Sequence, residues 1–348
     1  LIISRTPFRV SFFGGGTDYH PWYQEHGGAV LSTTINRYCY INCRFLPPFF
    51  DYRNRIVWSK IETVNTHDDI AHPVVREVLR MMDLEGVEIH HDGDLPSRSG
   101  LGSSSSFTVG ILNALNALKG KMSSKEQLAK TAIHVERGLL KENVGIQDQI
   151  AAAYGGLNRI DIRQDGSFSV NPLIMDRDRL RILQDSLMLV YTGTSRFSSN
   201  IAKSQIQAIP NKVAQLHRMH RMVEEGAMVL QGNGEVDDFG RLLHESWQLK
   251  RQLTSSISPG FVDQIYDQAI SAGALGGKLL GAGGGGFMLF FVNPNYRDKV
   301  LKALDQLLVV PIEFDSTGSQ IILYAPDHFS QHSLSGAKFS HNLDRPQD

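Results

Sequence analysis

Three glycine-rich stretches carry the residue types from which phosphate chemistry is built: "TPFRVSFFGGGTD" at 6–18, "LPSRSGLGSSSS" at 95–106 and "KLLGAGGGGF" at 278–287. In the second, Gly100 and Gly102 allow backbone conformations closed to other residues, and Ser103 to Ser106 lead into the apolar helical run "FTVGILNALNAL". The free N–H groups and the dipole at such a helix start favour an anion, and serine hydroxyls can bond a phosphate or serve as neutral metal ligands beside it. No lysine follows at the Walker position, so this is not a P-loop, and a serine-capped helix after a turn is the plainer reading of the same residues. In the first stretch a strand with Arg9 runs into three glycines and Asp18. There the backbone can approach a ligand and the carboxylate can accept from sugar hydroxyls, or an Asx cap can simply end a turn. In the third, Gly281-x-Gly283-x-x-Gly286 matches the dinucleotide fingerprint letter by letter. It is followed by "FMLFFV", a strand and not a helix, so that reading fails its structural test. A close approach of another backbone or of a ligand is expected there instead.

Two carboxylates stand out. On a helix expected over 124–140, Glu136 shares a face with Ala129, Ala132, Ile133 and Leu140, a costly place for a charge unless a cation pairs with it. A glutamate bridged to an arginine at the helix edge would also satisfy the pattern. Asp148, in "NVGIQDQIAAAYGG", falls in a first helical turn, where the dipole alone favours an acid. His217 and His220 are spaced as metal ligands could be, but arginines interleave them, so a solvated helix face is expected. Cys39 and Cys43 would share one face of a strand, too far apart for a disulfide, and read as reduced, buried thiols.

The elements that must position these residues form two groups. Strands are expected in "IISRTPFRVSFF", "AVLSTTINRYCYINCRF", "RIVWSKIETV" and "GVEIHHDGDL", followed by helices that include one opening with a capping box at Ser123-x-x-Glu126. A buried strand near "LRILQDSLMLVYTG" begins a second group, with helices over roughly 199–231, 235–254, 260–271 and 296–307 and a last strand "IILYAP". Strands in runs followed by helices argue α+β and no parallel βαβ array. The expected domains are 1–185 and 186–348. With 35 basic against 36 acidic residues the net charge is −1, which gives no electrostatic reason to expect nucleic acid or an anionic membrane as a partner. No apolar run nears the roughly 20 residues of a membrane span, and "LIISRTPFRV" lacks a signal-peptide pattern, so a cytoplasmic protein is expected.

Taken together, in this order and spacing, the three glycine-rich motifs resemble those of the GHMP small-molecule kinases, which include galactokinase, homoserine kinase, mevalonate kinase and phosphomevalonate kinase. The resemblance spans about residues 1–325. It implies an N-terminal domain like ribosomal protein S5 domain 2 and a ferredoxin-like C-terminal domain, with ATP and substrate meeting between them. It further implies that Gly100, Leu101, Gly102, Ser103, Ser104 and Ser105 wrap the ATP phosphates. Ser104 and Glu136 would hold Mg²⁺. Asp148 matches the aspartate of the galactokinase-type "GIMDQ" segment, with Arg9 as its partner at the transferring phosphoryl. Beside that cation Asp148 would orient the hydroxyl more than deprotonate it.

Galactokinases carry "GEHTDY" after the arginine, whereas here Gly15 and Gly16 replace the Glu-His pair and Thr17 and Asp18 remain. This variant, with "GGAVLSTTINRYCYI" and "YTGTSRFSSNIAKSQ", resembles the branch that holds D-glycero-D-manno-heptose 7-phosphate kinases and fucokinase-like domains. The implied reaction is transfer of the ATP γ-phosphate to C1 of a heptose 7-phosphate, on the way to an activated heptose. Gly15, Gly16, Thr17 and Asp18 would line the sugar site. Arg196 and Lys203, or Arg98 in the phosphate motif, could supply the cations that a phosphorylated substrate needs. Other sugar kinases, a decarboxylase of the same fold and a non-catalytic sugar sensor are the rival readings. Oligomeric state is left open, a homo-oligomer included.

Overall fold

A computed structural model describes residues 1–47, 49–194 and 198–326. In chain order its first half holds β1 (Ile2–Phe13), α1 (His20–His26), β2 (Gly28–Phe45), β3 (Asn54–Val57), β4 (Ile61–Val64), α2 (Pro73–Met82), β5 (Val87–Gly93), α3 (Ser103–Leu118), α4 (Lys125–Ile133), α5 (Gln147–Tyr154), β6 (Asn158–Ile162), β7 (Phe168–Pro172) and α6 (Arg177–Ser186). There follow β8 (Leu187–Tyr191), α7 (Ser198–Ala208), α8 (Val213–Gln231), α9 (Asp237–Arg251), α10 (Gly260–Ser271), β9 (Ala274–Leu279), β10 (Phe287–Val292), α11 (Arg297–Ala303), β11 (Leu308–Val310), β12 (Phe314–Asp315) and β13 (Gln320–Tyr324).

The strands form two sheets. The first runs β13-β1-β2-β5-β3-β4, with β6 and β12 also paired to the long β2 and β7 to β6. Only β3 and β5 pair in parallel among the described strands, as the α+β expectation requires. The second sheet is antiparallel in the order β11-β8-β10-β9. Numbered along the chain its strands read 4-1-3-2, the ferredoxin-like arrangement. "IILYAP" does not stay with the second group: β13 pairs with β1, Ile2 opposite Tyr324, so the chain returns to the first sheet. Alternating apolar residues mark a strand but do not say which sheet edge it joins.

β1 shows why the cleft forms where it does. Its first residues alternate buried and half-buried, but from Thr6 to Phe13 every residue is buried, because helices cover both faces. α3 lies across β1 and β2 at Gly110, whose carbonyl accepts from Ser4 Oγ at 2.8 Å. At the other end Phe12 and Phe13 meet Phe239 of α9 edge-on, at 5.2 and 5.0 Å between ring centres. That contact seats the second sheet's helices on the C-terminal end of β1, and burying three such rings contributes roughly 2–3 kcal/mol each. The expected helix over 199–231 is two helices, because Pro210 cannot donate to the helical ladder and a 3₁₀ turn at Ile209–Asn211 takes its place. The capping box falls one residue later than expected: Ser124 Oγ accepts from Gln127 N at 3.1 Å and Gln127 Oε1 from Ser124 N at 2.9 Å. Both cysteines are free and buried, as expected.

Candidate active site

The serine run is a helix start with its donors left open. Gly102, at φ +73°, is the N-cap of α3, and no side chain caps the helix, so the first-turn N–H groups face the cleft without an intrahelical partner. Gly100, Gly102, Ser103, Ser104 and Ser105 line the cleft. Leu101 turns the other way, is fully buried, and accepts at its carbonyl from the Arg9 N–H at 3.0 Å, which pins the loop to β1.

Arg9 and Asp148 meet beside this loop. Arg9 Nε donates to Asp148 Oδ1 and Nη2 to Oδ2, both at 2.7 Å, a forked pair. Nη1 donates to the Gly100 carbonyl at 2.6 Å. One buried guanidinium therefore fixes β1, the start of α5 and the phosphate loop together. Asp148 remains a quarter exposed, so its outer lone pairs stay open to the cleft.

Glu136 sits behind the loop, on a single π-helical turn (His134–Leu139) that continues α4 in place of the expected regular helix. It is buried, and its Oε2 accepts from Ser105 Oγ at 3.0 Å and from the Gln149 side chain. Its Oε1 has no hydrogen-bond partner. Burial pushes its carboxyl up to about 7, against the pull of the bonds it accepts. No arginine bridges it among the described residues.

The opposite wall comes from the second sheet, where the glycine run 281–286 approaches the phosphate loop backbone to backbone. A Cβ on Gly286 would stand 2.3 Å from Ser99 O, and one on Gly281 2.6 Å from Gly100 Cα. The Phe287 N–H donates to that same Ser99 carbonyl at 3.0 Å. This run serves a close approach, with strand β10 after it.

Residues 69–156 match the GHMP kinases N terminal domain and residues 228–309 the GHMP kinases C terminal domain. The chain belongs to the GHMP kinases. It is an ATP-dependent kinase. The chain is 28% identical over 320 residues to a D-glycero-alpha-D-manno-heptose 7-phosphate kinase of Campylobacter jejuni, covering 87% of this chain and 93% of that one. It is 27% identical over 341 residues to a bifunctional fucokinase/GDP-fucose pyrophosphorylase of Arabidopsis thaliana, covering 89% of this chain and 31% of that longer protein. Among solved structures, a D-glycero-D-manno-heptose 1-phosphate kinase from Bacteroides thetaiotaomicron superposes with a TM-score of 0.74 at 28% identity, over 92% of this chain and 98% of the other.

At the glycine turn after β1, Gly15, Gly16 and Asp18 line the cleft with Ser11, Tyr19 and Gln147. A Cβ on Gly15 would meet nothing closer than 3.8 Å, so the position is open space. Asp18 is buried and accepts from Gly16 N at 3.0 Å and Gln147 N at 3.4 Å; burial and the nearby Asp148 raise its pKa. Ser11 Oγ and Gln147 Oε1 are buried without partners. Thr17 is not on the wall. Its hydroxyl donates to the carbonyls of Gly14 and Ala29, each at 2.8 Å, and holds the turn closed. Lys203 is exposed on α7, whose cleft-facing residues are Ala202 and Gln205. Arg196 lies outside the described residues. Arg98 is at the cleft wall. Sequence reasoning missed two cations of the second lobe, Lys250 on α9 and Lys278 on β9, both buried in the cleft wall. Lys278 opens the very motif "KLLGAGGGGF", but a lysine ahead of a glycine run gave no sign of which way it turns. His217 does not stand on a solvated face: its ring packs against Trp22 and His26, at 4.9 Å from each.

Proposed function

We propose that the chain is a sugar kinase that transfers the γ-phosphoryl group of ATP to the C1 hydroxyl of D-glycero-D-manno-heptose 7-phosphate, giving the 1,7-bisphosphate. The observation that carries this reading is the Arg9–Asp148 pair, held at the mouth of the phosphate loop and facing the open Gly15–Gly16 turn. The names of the relatives support a heptose phosphate as acceptor, and because they place the phosphate differently, at C7 in one and C1 in the other, they leave the position to experiment.

In the reaction the acceptor oxygen forms a bond to the γ-phosphorus while the bond from that phosphorus to the bridging oxygen breaks, and ADP leaves with the electron pair. The acceptor O–H first donates to an Asp148 oxygen on a lone pair that Arg9 does not occupy, and as the new bond to phosphorus completes the O–H bond breaks and its proton passes to that oxygen. Arg9 keeps this carboxylate in place, so its contribution is orientation more than basicity. The α3 N–H groups and Ser103 and Ser105 bind the phosphates of ATP. Asp18, Gln147 and Ser11 offer acceptors and a hydroxyl to the sugar.

The donor set suits Mg²⁺. Glu136 is a buried carboxylate with one oxygen unpartnered, and the serines beside it are hard oxygen donors. Ser104 and Glu136 would hold the ion, with Glu136 reaching the loop through Ser105. When bound, the ion neutralises phosphate charge.

ADP release from MgATP in the presence of a panel of heptose 7-phosphate, fucose, galactose and mevalonate phosphates tests the reading. Release with heptose 7-phosphate is expected. Turnover with free fucose or galactose alone would replace the acceptor, and turnover with mevalonate phosphates would remove the sugar altogether. An absence of nucleic-acid partners accords with the near-zero net charge. No helix among the described residues is long and apolar enough to cross a membrane.

A further inference from the structure

Lys250 and Lys278 are 7% and 3% exposed, and neither lies within ion-pair distance of a carboxylate among the described residues. Lys250 Nζ donates to the carbonyls of Leu279 at 3.0 Å and Gly281 at 2.5 Å. Lys278 Nζ donates to the carbonyl of Phe12 at 2.7 Å. An ammonium has three donors, so Lys250 retains one and Lys278 two without a partner among the described residues. Both side chains line the same cleft as Arg9 and the phosphate loop. A buried cation without an ion-pair partner loses its hydration uncompensated, and the tethering of a few carbonyls does not require one, since a neutral amide could do that.

The negative groups nearby are already engaged. Asp148 is held by Arg9, Glu136 lies behind Ser105, and Asp18 is bonded to the N–H groups of Gly16 and Gln147. The lysines' positions are equally telling. Gly281, tied by Lys250, packs on Gly100 of the phosphate loop, and Phe12, tied by Lys278, stands two residues before the glycine turn of the acceptor side. The two ammonium groups thus occupy the second-lobe wall between the donor loop and the acceptor turn.

We propose that Lys250 and Lys278 form a phosphate-binding site on the second-lobe wall of the cleft, completing from that side the charge that the α3 terminus and Arg9 supply from the other. The inference rests on phosphoryl transfer in this cleft and not on which sugar accepts. Burial pushes the Lys250 ammonium down to about 7, with Arg9 adding to the fall, and burial likewise lowers Lys278, with Lys250 and Arg9 adding. A phosphate bound between them would favour the charged form of both. The phosphate can be the γ-group of ATP in transfer or one already carried by the acceptor.

Lys250→Gln and Lys278→Gln keep a donor for the carbonyls and remove the charge. Steady-state kinetics with MgATP and the acceptor that supports wild-type turnover separate the two sources. If the group in transfer is held, kcat falls about 100-fold or more with the acceptor KM within threefold, the scale of losing a preorganised charge at a transition state. If the acceptor's phosphate is held, the acceptor KM rises about 30-fold or more while kcat stays, and the loss disappears with the unphosphorylated sugar. Lys250→Arg should recover part of either loss. Folded variants with kcat and both KM values within about twofold of wild type would overturn the proposal. Should the variants fail to fold, the wild type decides: no greater rise in Tm with inorganic phosphate than with chloride at matched ionic strength would overturn it as well.

Discussion

The phosphate loop at 100–105 and the glycine loop at 281–286 look alike in the sequence and do opposite work. In the first, the backbone donors are left free: the helix begins at Gly102 with no side-chain cap, and the open N–H groups face the cleft. In the second, the backbone is bonded to protein. Gly284 N donates to Ile257 O at 2.9 Å, Gly286 N to Thr192 Oγ1 at 3.1 Å, and the Gly286 carbonyl accepts from Thr192 N at 2.9 Å. Glycine serves the first loop by exposing donors to a ligand and the second by letting two chain segments touch. The difference teaches that a glycine run is read by what its amides do and not by its letters.

The sharpest way to break this comparison is at the proposed catalytic pair, Arg9 and Asp148. Asp148→Ala should lower turnover by about 10²–10⁴-fold with nucleotide binding retained, because the loss is confined to orientation of the acceptor hydroxyl. A variant with near wild-type rate would remove Asp148 from the mechanism. Next comes the contact loop. Gly286→Ala puts a methyl 2.3 Å from Ser99 O at φ +108°, and chemical denaturation should show a loss of roughly 2–4 kcal/mol. Gly15→Ala, by contrast, meets nothing within 3.8 Å and should leave the Tm within about 2 °C while raising the acceptor KM, since its effect is on the ligand. If the two alanine variants behaved alike, the division between ligand-facing and protein-facing glycines would fail.

A smaller effect concerns the second-lobe cation. Lys250 has a folded pKa near 7, well below its unfolded value, so between these values the unfolded chain binds the extra proton and stability rises with pH. Below the folded value both states are protonated and the cost of burial is felt in full. Burial is the main cause of the fall, Arg9 adds to it and Asp18 opposes it, so the slope belongs to this cluster. The Tm of the ligand-free wild type should therefore gain on that of Lys250→Gln as pH rises from about 6 to about 9. Parallel curves would show that the buried ammonium does not titrate in that window.

The first half of the candidate site could be read in outline because each of its parts is a short local pattern: a glycine pair, a serine-rich helix start, and a carboxylate in the first turn of α5. What reading alone could not supply was direction. Thr17 stands between two cleft residues and turns inward to hold Gly14 and Ala29. Lys203 is on a correctly expected helix but on its outer face, while Ala202 and Gln205 face the cleft. Lys250 carries no local signal of its direction, and only the packing of α9 against β9 turns it inward. The fold class was legible from the grouping of strands and helices, whereas the return of β13 to β1 depends on edge pairing that no local pattern encodes.

The most direct measurement is ³¹P NMR of the product formed from MgATP and D-glycero-D-manno-heptose 7-phosphate. A new phosphorus resonance coupled to the anomeric proton, with the C7 phosphate retained, is the expected result. ATP consumption without that resonance, or a phosphate on any other carbon, would contradict the assignment of Asp148 and the open glycine turn to a C1 hydroxyl.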